Sequence, residues 1–231
     1  MDRRQDMTSN GRRVAIVTGG SQGIGAGLVA GYRRQGWAVV ASARRIKAGE
    51  DPDMLAVEGD LAEPATADRI VDGALERFGR IDTLVNNAGV YALITGVNLA
   101  GFLWITQRAI AEMATRHGGH VVNVTATLAE VANSGEPAVL SALTKGGLAA
   151  ATRSLAVEYA SRGVRVNAVS PGIIQTPPHP AESYQDLGGR LPPLGRAGQV
   201  SDVVNAILFL ESSPYITGEI LHVDGGQTAG H

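Results

Sequence analysis

The length, composition and charge of the chain set the first limits on its function. Its 231 residues suit one large α/β domain, and 20 Lys and Arg against 22 Asp and Glu leave a net charge of -2. Because that balance offers no basic excess to neutralise a phosphate backbone, we expect no nucleic-acid partner. The absence of cysteine excludes disulfides, thiolate catalysis and cysteine-bound metals.

The sequence also carries no sign of a membrane or export segment. No apolar run is long enough to span a bilayer, and the polar N-terminus lacks the apolar core of a signal peptide. We therefore expect a cytoplasmic protein without membrane contact. Residues 1–12, rich in arginine, are predicted to form a flexible tail, and 13–231 a single domain.

Strand and helix signals alternate along the chain. Short apolar runs predict strands, and apolar residues at helical spacing predict helices. The predicted strands are 14–18, 37–41, 54–57, 81–85, 120–124, 164–169 and 219–223, and the predicted helices are 25–35, 65–78, 97–116, 139–160 and 200–210. The alternation predicts a Rossmann-type, doubly wound α/β fold: a mostly seven-stranded parallel sheet with helices on both faces.

A glycine-rich turn lies between the first strand and the first helix. It reads T-G-G-S-Q-G-I-G over residues 18–25. Glycines allow the tight turn and let the backbone approach a pyrophosphate closely, while the free N–H groups at the helix start favour an anion. The turn therefore predicts a dinucleotide-binding domain.

Several further motifs, in order along the chain, resemble those of the short-chain dehydrogenase/reductase family. They are the T-G-x-x-x-G-x-G turn, Asp60 after the third strand, N-N-A-G at 86–89, Asn98, Lys145, P-G at 171–172 and V-D-G-G at 223–226. The resemblance covers roughly residues 13–228. It implies a nicotinamide-dependent oxidoreductase that transfers hydride between the cofactor and a carbonyl or alcohol substrate.

The resemblance also implies which residues form the site. The catalytic candidates are Asn98, Thr125, Ser141 and Lys145, and no metal site is expected. The cofactor-binding candidates are Gly19, Ser21, Gln22, Gly23, Ile24, Gly25, Arg44, Asp60, Leu61, Asn87, Ala88, Gly89, Lys145, Pro171, Gly172, Ile174 and Thr176.

Two catalytic positions depart from the family pattern. The family carries a tyrosine four residues before the lysine, where this chain has Ser141. A serine hydroxyl is far less acidic than a phenol and ends nearer the backbone, so it cannot reach the same point directly. The family serine after the fifth strand falls at or beside Ala126, which leaves Thr125 or Thr127 to supply a hydroxyl.

A third departure is a short connection, since only residues 90–97 separate Gly89 from Asn98. Relatives place a longer segment there. Either this chain lacks it or the sequence omits it, and a missing segment would leave one wall of the cofactor cleft thin.

The end of the second strand bears on the choice of cofactor. An acid there would bind the ribose 2′-hydroxyl of NAD, but the chain has Ser42 followed by Arg44 and Arg45. Arginine suits a 2′-phosphate, so we favour NADP(H) over NAD(H), although Gln22 occupies a turn position where NADP-preferring relatives often have a cation.

The sequence leaves two main functions open. One is an NADP(H)-dependent carbonyl reductase or alcohol dehydrogenase with a non-standard proton donor: Ser141 through water, a threonine, Tyr91, or His179 or Tyr184 from a predicted lid loop near 176–196. The other is a catalytically silent dinucleotide-binding protein acting as a redox sensor or partner subunit. A structural subunit without cofactor is a third reading, against which the intact glycine turn argues.

The expected partners are a small-molecule substrate and further copies of the chain. The family resemblance implies a homodimer or homotetramer, and the Ala-rich helix predicted at 139–160 suits close helix contact. The alternative is a monomer that uses the same alanines for internal packing. The substrate itself has no signature in the sequence.

Overall fold

The architecture is a parallel sheet between two layers of helices. In the computed structural model, residues 11–89, 95–116, 118–131, 138–177 and 192–230 are described. Seven strands form one sheet: β1 (Val14–Thr18), β2 (Ala38–Ala43), β3 (Met54–Glu58), β4 (Thr83–Asn86), β5 (Gly119–Val124), β6 (Val164–Pro171) and β9 (Ile220–Val223). Their order is β3-β2-β1-β4-β5-β6-β9, and every neighbouring pair is parallel. The predicted fold class is confirmed.

The helices cover both faces of this sheet. They are α1 (Gly23–Arg34), α2 (Pro64–Phe78), α3 (Phe102–Thr115), α4 (Val139–Tyr159) and α5 (Val200–Ser212). Helices α2, α3 and α4 pack on one apolar layer of the sheet, and α1 and α5 pack on the other. Strands buried on both faces explain the nearly continuous apolar runs, such as the fully buried V-A-I-V-T of β1.

The helix predicted at 97–116 is divided into two parts. Thr95–Gly101 forms a π helix, and α3 continues from Phe102. The long helix predicted over this range is therefore present, but its first turns are π-helical. Apolar periodicity does not report that difference, in which a π turn bonds i to i+5 and holds one more residue than an α turn.

A short pairing outside the main sheet was not predicted. Strand β7 (Ile174–Gln175) pairs in parallel with β8 (Gly198–Gln199), immediately before α5. Two residues are too few to show alternation, so the sequence pattern carries no signal for them. The pairing fixes the segment that follows β6 beside the start of α5.

The order of the strands reverses direction between β1 and β4. The chain runs from β1 outward to β3 and then returns to β4 on the other side of β1. Ligands of open α/β sheets bind outside the carboxyl ends of the strands at such a switch point. The fold therefore locates the candidate site before any side chain is considered.

Candidate functional site

A cavity of about 770 Å³ opens at this switch point. Its wall contains most of the cofactor-binding residues predicted from the sequence: Gly19, Ser21, Gln22, Gly23, Ile24, Gly25, Arg44, Asp60, Leu61, Asn87, Ala88, Gly89 and Thr176. Sequence reasoning missed Ala43, Gly59 and Val97 as parts of the wall. It named Ser42 and Arg45 only as neighbours of Arg44, and Pro177 only as part of the predicted lid loop. Gly59 directly precedes Asp60, so its adjacency was an available signal.

The glycine-rich turn has the shape that close approach to a ligand requires. Gly19 and Gly23 have φ of +67° and +55°, which side chains rarely adopt. A Cβ on Gly25 would lie 2.0 Å from the carbonyl oxygen of Gly19, so no larger residue fits there. The first amides of α1 have no acceptor within the helix and lie beside the cavity, where they can bind an anion.

Asn87 holds the glycine turn in place. Its side-chain amide donates to the carbonyl oxygens of Thr18, at 2.9 Å, and Gly19, at 3.3 Å. The Thr18 hydroxyl in turn accepts from the backbone N–H groups of Asn87 and Ala88. Asn87 thus lines the cavity while its amide group bonds the backbone of the neighbouring turn.

Cationic side chains border the cavity at the end of β2. Arg44 and Arg45 are exposed on its wall. Ser42 is 1% exposed, and its hydroxyl has no hydrogen-bond partner among the described residues. A buried hydroxyl without a partner is costly, so a ligand that bonds it would remove that cost.

Asp60 and Leu61 form the opposite wall. Asp60 accepts a hydrogen bond from the backbone N–H of Ala62 at 2.9 Å, which fixes the turn after β3. The carboxylate therefore both lines the cavity and orders its own loop.

Lys145, Asn98 and Gly89 meet at the other end of the cleft. The Lys145 ammonium donates to the carbonyl oxygen of Val124 at 2.7 Å. A Cβ built on Gly89 would lie 3.3 Å from the Lys145 Nζ and 3.6 Å from the Asn98 Oδ1, so both groups converge on this exposed glycine. Burial lowers the pKa of the Lys145 ammonium to about 8.

Of the three hydroxyl candidates, Thr127 is buried, and Thr125 and Ser141 have different surroundings. Thr125 is buried, and its hydroxyl donates to the carbonyl oxygen of Val169 at 3.1 Å, which uses its only proton in a strand contact. Ser141 lies one turn before Lys145 on α4 and is partly exposed. Residues four apart share a helix face, so Ser141 and Lys145 lie on the same side of α4.

The segment that follows P-G at 171–172 contributes to the cavity wall mainly through Thr176. Thr176 lines the cavity, and a Cβ on Gly23 would lie 3.5 Å from its methyl carbon. Pro171, Gly172 and Ile174 are not part of the cavity wall. Gly172 packs instead against the V-D-G-G turn, where a Cβ would lie 2.9 Å from the Cα of Asp224.

Several candidates named from the sequence fall outside the described residues. Tyr91, His179 and Tyr184, and most of the predicted lid loop, lie outside the described ranges. Within those ranges, no group of three metal-ligating side chains occurs. No helix in the same part of the chain is long and apolar enough to cross a membrane.

Known proteins match this chain over almost its whole length. The family model described as Enoyl-(Acyl carrier protein) reductase matches residues 19–228. A putative ketoacyl reductase 2 of the granaticin polyketide synthase from Streptomyces violaceoruber is 38% identical, over 92% of this chain and 95% of its own. The chain belongs to the short-chain dehydrogenase/reductase family. The 3-oxoacyl-[acyl-carrier-protein] reductase FabG of Escherichia coli is 31% identical over 93% of this chain.

Solved structures of the family support the same assignment. ElxO with NADP bound has a TM-score of 0.83 at 25% identity and covers 95% of this chain. A 3-ketoacyl-(acyl-carrier-protein) reductase from Brucella melitensis, complexed with NADH, has a TM-score of 0.83 at 31% identity and covers 94%. Short-chain dehydrogenase/reductases are thus seen with either nicotinamide dinucleotide.

The alignments also bear on chain length. The match to the Streptomyces protein runs over 240 positions, more than the 231 residues of this chain. That relative therefore carries residues that have no counterpart in this chain.

Proposed function

We propose that this chain is an NADP(H)-dependent carbonyl reductase whose site works without the family tyrosine. The observation that carries the proposal is the convergence of the Lys145 Nζ and the Asn98 Oδ1 on Gly89, at one end of a cleft built for a dinucleotide. The Lys145 amine and the Asn98 amide are groups that can orient a ligand and hold a proton.

The cofactor assignment rests on the shape and the chemistry of the cleft. The glycine turn and the amides at the start of α1 would hold the pyrophosphate, and Asp60 and Leu61 would border the adenine. Arg44 and the partnerless Ser42 hydroxyl would hold a 2′-phosphate. When bound, the nicotinamide supplies or accepts the hydride.

The protein's own residues would then manage the proton. The Lys145 ammonium is fixed by the carbonyl oxygen of Val124 and has a pKa of about 8, so it can both hold and release a proton near neutral pH. Ser141, on the same helix face, can pass that proton to the substrate oxygen through a water molecule. The names of the relatives favour 3-oxoacyl thioesters as the first substrates to test.

Calorimetry with NADPH and NADH tests the cofactor, because it needs no substrate. We expect tighter binding of NADPH. Ser42→Asp should reverse the preference, since a carboxylate repels the 2′-phosphate and accepts a bond from a 2′-hydroxyl. If the unmodified protein and Ser42→Asp bound NADH equally well, the assignment of the 2′-phosphate site would be contradicted.

A carbonyl panel tests catalysis. The panel contains acetoacetyl thioester, aldehydes, ketones and quinones, each supplied with NADPH. We expect turnover that Lys145→Ala lowers by about 10²- to 10⁴-fold, the usual loss for a positioned acid. Turnover that is unchanged in Lys145→Ala would refute this site.

A silent dinucleotide-binding protein is the second candidate function. The observations that favour it are the serine at 141 and the hydrogen bond that occupies the Thr125 hydroxyl. It predicts cofactor binding without turnover, with reductase activity gained in Ser141→Tyr. A robust rate in the unmodified protein would eliminate it.

We also propose that a second copy of the chain covers the outer face of α4. Leu140 and Leu143 of α4 are 54% and 67% exposed, and Leu103 of α3 is 51% exposed in the same layer. Exposed apolar patches of this kind mark contact surfaces, and the family pairs these helices between subunits. Sedimentation should give a dimer or tetramer that Leu143→Glu dissociates, and a monomeric unmodified protein would contradict this.

A further inference from the structure

One short helix touches both ends of the cofactor cleft. Val97 of the π helix Thr95–Gly101 lines the cavity, and its neighbour Asn98 lies beside Gly89, as the Lys145 amine does. The opposite contact is with the loop after β3, whose Leu61 borders the predicted adenine position. This π helix therefore lies between Leu61, which would contact the adenosine, and Lys145, which would hold or release the proton.

Two glycines allow the π helix to sit against that loop. A Cβ on Gly101 would lie 2.5 Å from the carbonyl oxygen of Leu61 and 2.9 Å from its Cβ. A Cβ on Gly96 would lie 2.9 Å from the Cβ of Ala62. Atoms cannot approach so closely, so either side chain would push the helix and the loop apart.

The spacing of the two glycines matches the π geometry. Gly96 and Gly101 are five residues apart, the interval that an i to i+5 turn brings onto one face. An α-helix would rotate one of them away from the loop. π turns also occur often at functional sites, because the extra residue redirects neighbouring side chains.

We propose that Gly96 and Gly101 are positioning residues that couple the adenosine end of the cleft to Lys145. The glycines hold the π helix on residues 61–62, so that contact between a ligand and Leu61 or Val97 fixes Asn98 at the amine. The coupling rests on the dinucleotide site proposed above. It goes beyond that site by joining its two ends through one element.

The physical consequence is a change in the proton affinity of Lys145. Without a ligand, burial alone lowers the pKa of Lys145. An amide oxygen brought closer to an ammonium favours the charged form, so we expect a ligand that seats Asn98 to raise that pKa. A displaced helix would hold the oxygen away and prevent the rise. The coupling can therefore be read from the amine itself, without turnover.

The experiment compares four proteins: the unmodified chain, Gly96→Ala, Gly96→Ala with Ala62→Gly, and Gly147→Ala. The double variant removes the Ala62 Cβ that the new side chain would strike. Gly147→Ala is a matched control, since this helical glycine has no neighbour within 4 Å of a built Cβ. The pH midpoint of Lys145 acylation is measured by mass spectrometry, with and without saturating adenosine 2′,5′-bisphosphate.

We expect the fragment to raise the midpoint in the unmodified chain and in Gly147→Ala. Gly96→Ala should show a smaller rise and bind the fragment about tenfold more weakly, and the double variant should restore both. Equal midpoints in all four proteins, with the fragment bound, would overturn the coupling alone. Failure of the unmodified protein to bind either the fragment or NADPH would overturn the coupling and the proposed dinucleotide site together.

Gly101→Ala provides an independent check. Its Cβ meets backbone as well as side chain, so it should disturb the helix more than Gly96→Ala does. Amide hydrogen exchange across 95–103 should be faster in Gly101→Ala and should slow less when the fragment binds. Exchange identical to that of the unmodified protein, in a folded variant, would contradict the seating of the helix.

Discussion

At the scale of single residues, Lys145 has an amine in surroundings that disfavour its charged form. Within the described ranges, no carboxylate lies within ion-pair distance of its ammonium, and burial alone lowers its pKa to about 8. At neutral pH the folded protein must keep a charged group in a poor environment. Proteins accept such strain where a ligand or a reaction uses the group.

Replacing Lys145 by methionine should stabilise the ligand-free protein. Methionine is similar in length to lysine but has no charge to desolvate. The substitution should therefore raise the free energy of unfolding by about 1 to 2 kcal/mol at pH 7. Urea denaturation measures this, with Lys145→Arg as a control that keeps the charge. A methionine variant less stable than the unmodified protein would show that the bond to Val124 outweighs the desolvation.

At the scale of elements, a chain of side-chain hydrogen bonds joins two strands to two helices. The Asn86 side-chain amide donates to the Thr106 hydroxyl of α3 and to the side-chain Oδ1 of Asn123 in β5, each at 3.0 Å. The Asn123 amide donates to the Thr152 hydroxyl of α4 at 2.9 Å, and that hydroxyl donates to the carbonyl oxygen of Leu148. These buried hydrogen bonds fix the positions of α3 and α4 relative to the sheet, and thereby the position of Lys145 on α4.

Thr152→Val should weaken this connection without changing side-chain shape. The substitution leaves the Asn123 amide without an acceptor in a fully buried place, which should lower the free energy of unfolding by about 1 to 3 kcal/mol. Chemical denaturation measures the loss. Thr152→Ser keeps the hydroxyl and should lose clearly less; equal losses would show that the methyl group, rather than the bond, matters.

At the scale of the whole molecule, one buried polar cluster joins the elements at the edge opposite the cofactor cleft. Glu211 of α5 accepts from Thr83 at 2.7 Å, contacts His120 Nδ1 at 3.0 Å and pairs with Arg13 at 2.8 Å. Burial by itself would raise the pKa of Glu211, but these bonds and charges lower it overall. The cluster therefore contains an ionised carboxylate.

The hydrogen bonds also define the charge of His120. Asn167 accepts the backbone N–H of Glu219, so its amide nitrogen faces His120 Nε2, which must accept. The proton then lies on Nδ1 and is donated to Glu211. His120 is neutral, and burial lowers its pKa below the ordinary value.

Stability should consequently fall as the solution is acidified. The unfolded chain binds a proton at His120 near pH 6.5 whereas the folded chain resists it, so the free energy of unfolding decreases as pH drops below about 6.5. The slope for this one proton approaches about 1.4 kcal/mol per pH unit. Urea titrations from pH 8 to pH 5.5 measure it.

A variant without the imidazole tests the source of that slope. His120→Asn should be less stable at pH 8 and show a flatter pH dependence, because nothing at residue 120 then titrates. His222→Asn is the matched control, since that histidine is far more exposed and pairs with Glu130 at the other end of the strands. An unchanged slope in His120→Asn would assign the acid sensitivity to other groups.

The sequence by itself determined the order of strands and helices, the glycine turn and the identity of the family, because these depend on local periodicity and on motifs whose spacing is fixed along the chain. The apolar run of β1 predicted a strand buried on both faces, and the turn at 18–25 predicted the dinucleotide site beside it. Each signal is complete within a few neighbouring residues.

Only the tertiary structure decided how distant residues combine. The π turn at Thr95–Gly101, the partnerless Ser42 hydroxyl and the neutral His120 all depend on atoms that are remote in sequence. Apolar periodicity cannot separate a π turn from an α turn, and a buried hydroxyl or imidazole has the same letter as an exposed one. Burial and hydrogen-bond partners determine the pKa of a group and whether a polar atom lacks a hydrogen bond. Both are defined only once the chain is folded.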